Sequence, residues 1–200
     1  MADPLIFVRG VHFGATLAAC GTIGFVYLVA EPAKVPVDFQ PLRSRLSVLI
    51  LLALVVAILS GALWLVLLAA DILGAPLLEV CLHGGAWPVL FETRFGFVWC
   101  TRFALALLLA FSLFRLLPKG FQLATAALLL CLPAMVGHAG ATPGLTGNIH
   151  LASDTLHLLT AGAWLGGLPA FVGCFRDARY PTLFGHRHSQ RQRSAGERID

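Results

Sequence analysis

The chain has 200 residues, 58% of them hydrophobic and 12% charged, and carries a formal net charge of +4. A water-soluble domain of this size has about a quarter charged residues, so a mean hydropathy of +0.84 excludes an ordinary soluble globular fold and points to a membrane protein. Lipid offers the backbone no hydrogen-bond partners, which leaves helices or a closed barrel; the run from Leu46 to Ala70 is solidly apolar rather than alternating, so helices are expected.

A spanning helix needs ~20 predominantly apolar residues. The first segment that qualifies is Leu5 to Ala30, which ends at Glu31-Pro32. It follows an acidic N-terminus (Asp3) and is too long for the apolar core of a secretory signal, so it reads as an uncleaved helix. The second is Leu46 to Ala70, closed by Asp71 and then Gly74 and Pro76; the third is Phe95 to Leu117, closed by Pro118. The fourth runs from Phe121 to Val136, with Pro133 expected to kink it because proline removes a backbone donor. A Gly/Pro-rich stretch, Gly137 to Gly147, leads to the fifth, Asn148 to Phe175. The expectation is an all-α, polytopic bundle of about five spanning helices over residues 1–176, followed by a basic, polar and disordered tail over 177–200.

Arginine and lysine set the orientation. The loops after the first and third helices and the tail hold 11 of the 14 basic residues, and basic loops stay cytoplasmic. The N-terminus, the Asp71–Arg94 loop and the His138–Asn148 loop then face the periplasm, and the C-terminus faces the cytoplasm. The net positive charge is a topology signal rather than a nucleic-acid surface. The five cysteines lack CxxC spacing and sit mostly within apolar runs, where cysteine acts as a small hydrophobe; no disulfide framework is expected.

Ionisable side chains in hydrocarbon cost about 2.5 kcal/mol or more, so each needs a reason. His150, Asp154 and His157 are spaced four and three apart and share one helical face. They could ligate a metal, or Asp154 could accept the ring N–H of His157 and fix its tautomer. His150 and His157 are two turns apart, about 10 Å along the axis, so they are assigned to different sites or to a site and its access route. His12 lies about two turns inside the first helix, at a depth matching His157, and His138 closes the fourth helix near His150. No histidine falls in the inward half of any helix. His12, His138, His150, Asp154 and His157 are therefore the candidate metal residues; no catalytic residue is assigned and no enzyme activity is expected. A single membrane histidine also serves as an interhelical hydrogen-bonding group, and His83 beside Gly84 and Gly85 reads as an ordinary loop residue. Imidazole suits copper, zinc, iron and nickel, so residue chemistry alone does not name the metal. Further along the fifth helix, Gly162 and Gly166 form a small-xxx-small packing pair, and Trp164, on the His157 face, could floor the site.

The stretch from His150 to Pro169 (HLASDTLHLLTAGAWLGGLP), the segment Glu92–Trp99 with Arg102 behind it, the Val11–Gly14 start and the Gly137–Ala139 exit together resemble the copper resistance D integral membrane proteins (CopD, PcoD and YcnJ type) over about residues 5 to 176. The resemblance implies copper transfer across the bacterial inner membrane, a periplasmic copper-binding partner of the CopC type, and a bundle with more helices than this chain supplies. On that comparison the chain reads as C-terminally truncated, with further helices or an oligomer completing it. Two other readings of the same residues are a b-type haem electron-transfer protein with His12 and His157 as axial ligands and an inactive remnant.

Overall fold

The structure is a computed structural model that describes residues 3–32, 39–115, 117–136 and 142–179. The described residues are helical almost throughout and contain no strand. α1 (Pro4–Phe25) starts on Asp3, whose carboxylate accepts from Leu5 N at 2.9 Å, with Pro4 at the first helical position where its missing N–H costs nothing. It continues through a wide turn, Val26–Ala30, in which Glu31 N donates to Val26 O five residues back. α2 (Phe39–Leu73) is the longest element. Two short helices follow, α3 (Leu77–Leu82) and α4 (Ala86–Glu92), then α5 (Arg94–Arg115) and α6 (Lys119–Cys131). α7 (Gly144–Ala161) passes through a second wide turn, Gly162–Gly166, into α8 (Leu168–Arg179).

Four of these helices are long and apolar enough to cross a membrane: Pro4–Ala30, Leu42–Leu73, Arg94–Phe114 and Gly144–Gly173. The fourth expected span, Phe121–Val136, is observed as a shorter apolar helix, Lys119–Met135. It measures about 25 Å at 1.5 Å per residue, somewhat less than the ~30 Å hydrocarbon core. Its shortness has a visible cause. At Pro133 the α-helix gives way to a tighter turn over Leu132–Met135, as expected where proline deletes a donor. The Asp71–Arg94 connection carries α3 and α4, two elements that the sequence reading left as loop.

α1 is the hub, packing along α2 and against α6, α8 and the Gly162–Gly166 turn. That last contact is glycine on glycine. A Cβ on Gly21 would overlap the carbonyl oxygen of Gly162 and lie 2.7 Å from Gly166 Cα, and one on Gly166 would overlap Leu17 O. Only glycine allows this approach, and Thr22 Oγ1 uses it to donate to Gly166 O at 3.0 Å. The Gly162/Gly166 pair thus packs as its spacing suggested. Three apolar clusters lie along the bundle. One, near the start of α1, holds Val8, Trp64, Ala69, Val80, Val89 and Trp99. The central one holds Cys20, Ile23, Leu54, Leu109 and Leu129. The third, around Val26, Leu42, Leu46 and Ala170, closes the opposite end. At that end Tyr27 donates to Gln122 Oε1 at 2.6 Å, and Glu31 pairs with Lys119.

Candidate functional site: a buried histidine–arginine centre

His12 lies on the face of α1 turned toward α2 and α5 and is only 5% exposed. Both ring nitrogens are engaged. Nδ1 sits 2.9 Å from Ala57 O, and Nε2 sits 2.6 Å from Nη2 of Arg102. A guanidinium has donors only, so Nε2 must accept. The proton therefore sits on Nδ1 and is donated to Ala57 O, and the imidazole is neutral. Thr16, one turn on, donates to His12 O at 2.8 Å.

Arg102 is 3% exposed, two turns into α5. Its Nη1 donates to Leu129 O on α6 at 2.9 Å, and its guanidinium carbon lies 5.3 Å from the ring centre of Trp99. No ion pair to Arg102 forms among the described residues, and its Nε has no hydrogen-bond partner. A buried charge in a membrane protein without a carboxylate is costly and signals function. Aromatic rings form the walls. Trp99 lies 5.5 Å and Trp64 5.7 Å from the His12 ring, Trp64 and Trp99 meet edge to face at 4.5 Å, and Phe95 stacks on Trp99 at 4.5 Å. Trp99 Nε1 donates to Gly61 O at 2.9 Å; a Cβ on Gly61 would press on the His12 ring at 3.1 Å, so glycine sets this spacing. A small cavity, with room for about one water molecule, is lined by His12, Thr16, Trp99, Arg102, Phe103 and Leu129.

The other candidate residues lie elsewhere. His150, Asp154 and His157 do share one stretch of α7, but all are exposed on its surface. Trp164, expected to floor their site, is likewise exposed, at 73%. His138 lies outside the described residues. Among the described residues no group of three or more His, Cys, Asp or Glu side chains is placed to hold a metal ion. A haem on His12 would have to displace Arg102 and the tryptophans that surround the ring. His83 bonds back to Glu79 O at 3.1 Å at the end of α3, an ordinary local contact.

The sequence reading missed Arg102, Trp64 and Trp99 as site residues. An arginine two turns inside an apolar run is itself the signal that could have found the first of these.

A family model described as "Copper resistance protein D-like, N-terminal domain" matches residues 1–148, the stretch that contains α1 to α6. The chain belongs to the copper resistance protein D-like family. Among curated proteins it is similar to the Inner membrane protein YebZ of Escherichia coli (strain K12), 36% identical over 94 residues that make up 45% of this chain and 32% of YebZ. The match thus spans about a third of that relative's length. No solved structure matches. Within this copper resistance D-like chain, the matched region includes the whole His12–Arg102–Trp99 centre and stops short of Asp154 and His157.

Proposed function

We propose that this chain handles copper in a bacterial inner membrane, receiving it at the end of the bundle where α1 begins and passing it inward through the His12 centre. One observation carries the reading beyond family membership. The Nε2 lone pair of His12, buried among four helices, already faces a cationic group, the Arg102 guanidinium. That lone pair is the one a copper ion would take, and a neutral imidazole is the form that ligates metal. Arg102 occupies the cation's place until copper arrives.

In this scheme His150 and His138 capture copper at the periplasmic side and His157 hands it toward the core. Asp154 orients an imidazole or balances charge. The exposed stripe on α7 meets a further helix or a second copy, since polar groups facing lipid are expensive. A periplasmic copper-binding protein of the CopC type is the expected donor. The concentration of Arg and Lys in the segments after α1, after α5 and beyond α8 supports an N-terminus outside and a C-terminus inside.

The test is copper accumulation in cells expressing the chain, against His12→Ala and His157→Ala. Wild type should change cellular copper content, and His12→Ala should abolish the change. Equal copper content in cells with and without the chain would refute the proposal.

A further inference from the structure

We propose that Arg102 holds a chloride ion in the small cavity beside His12. This goes beyond the copper reading above and stands or falls without it, because it concerns an anion and the donors that the His12 contact leaves unused.

A guanidinium presents its donors as a fork. Nε–H and one N–H of Nη2 point the same way and form an edge that grips anions with two prongs. In Arg102 the Nη2 prong lies 2.6 Å from Nε2 of His12, whereas the Nε prong is buried without an acceptor. Nη1 is taken up by Leu129 O at 2.9 Å. Arg102 and both of these partners line the cavity, which therefore adjoins the guanidinium. Other polar groups of its wall are already committed: Thr16 donates to His12 O, and Trp99 Nε1 donates to Gly61 O. The same imbalance continues toward the start of α1. Arg9, one turn before His12, has its guanidinium carbon 5.0 Å from the ring centre of Trp64, and both Arg9 Nε and Trp64 Nε1 are buried without an acceptor. No ion pair to Arg9 or Arg102 forms among the described residues. Two cations and three unused donors thus flank the Trp64–Trp99 pair.

Chemistry identifies the occupant. The unused groups are donors, so what completes the place is an acceptor. A water molecule would satisfy Nε but leave the buried charge uncompensated, and buried charges are paired. The acceptor is therefore an anion. The cavity has room for about one water molecule, which excludes carboxylate, phosphate and sulfate and leaves a monatomic ion. Chloride on the Nε prong makes the pair neutral, which also explains why an arginine is buried here without a carboxylate. Arg9, nearer the start of α1, carries the sign that draws an anion toward the centre. With chloride in place, a cation arriving at Nε2 of His12 no longer meets an uncompensated guanidinium.

The experiment is equilibrium binding of radiolabelled chloride to the purified chain in mild detergent, at constant ionic strength with gluconate as the balancing anion. Wild type, Arg102→Gln and Arg102→Lys are compared. Wild type should bind chloride saturably at a single site, with bromide competing and sulfate not. Arg102→Gln removes a charged donor and should weaken binding by about 10–100-fold. Arg102→Lys keeps the charge without the fork and should fall between the two. A measurement on wild type alone guards against misfolded variants: its unfolding midpoint should be higher in chloride than in gluconate, because a ligand of the folded state stabilises it. Binding that does not saturate, with equal midpoints in the two salts, would mean that the cavity holds water only and would overturn the proposal. Wild-type chloride binding by an Arg102→Gln chain with wild-type tryptophan fluorescence would overturn it too. Neither result bears on copper accumulation, which tests the other reading separately.

Discussion

The His12–Arg102 contact invites a double-mutant cycle. His12→Leu removes the acceptor from a 2.6 Å charge-assisted bond and the donor from a 2.9 Å bond to Ala57 O. Arg102 is buried, so solvent cannot replace what is lost. A hydrogen bond to a charged group is worth about 1.5–3 kcal/mol and a neutral one about 1 kcal/mol, so His12→Leu should destabilise the chain by about 2.5–4 kcal/mol. Arg102→Met strands Nε2 of His12 and Leu129 O but also removes a buried charge, and should cost less. In the double variant the stranded cation is gone. Its loss of stability should therefore fall short of the sum of the two single losses by about 1.5–3 kcal/mol. The assay is unfolding in mild detergent by titration with a denaturing detergent, followed by tryptophan fluorescence, since Trp64 and Trp99 both lie against the His12 ring. Additivity within about 0.5 kcal/mol would mean that the two residues do not interact, and the buried centre would have to be abandoned.

Three further outcomes are expected. Gly21→Val and Gly166→Val place a side chain against backbone and should each lower stability by about 1–3 kcal/mol; Gly10→Ala and Gly14→Ala, which meet open space, should unfold at or above the wild-type midpoint. Trp99→Phe loses the bond to Gly61 O and weakens the contact with Arg102, a cost of about 1–2 kcal/mol read from the same unfolding curve. His157→Ala, on the surface of α7, should leave stability within about 0.5 kcal/mol of wild type while reducing copper accumulation in cells; a large loss of stability would show that His157 is a packing residue.

The helices were legible because length and hydropathy suffice to find them. Leu5–Ala30 and Phe95–Leu117 are observed as Pro4–Ala30 and Arg94–Phe114, and where Pro133 was expected to kink the fourth helix the α-helix gives way to a tighter turn over Leu132–Met135. The Gly162/Gly166 contact was legible too, because small residues at that spacing have one common use. Which helix face turns inward was not. In water a polar stripe marks the outside, but a lipid-facing surface is as apolar as the core, so periodicity placed His150, Asp154 and His157 on one face without saying that the face is exposed. α3 and α4 escaped because six or seven residues carry too little periodicity to register. Arg102 entered the sequence reading as part of the resemblance, with no role of its own. Its depth depends on α5 beginning at Arg94, and its partners His12 and Leu129 come from helices distant in the chain.

The most direct measurement of the central claim is Cu(I) entry into proteoliposomes that contain the purified chain and enclose a Cu(I)-sensitive dye, with wild type against His12→Ala. The account predicts a copper-dependent signal for wild type and its loss in the variant. Equal signals from the two, or no signal above protein-free liposomes, would contradict it.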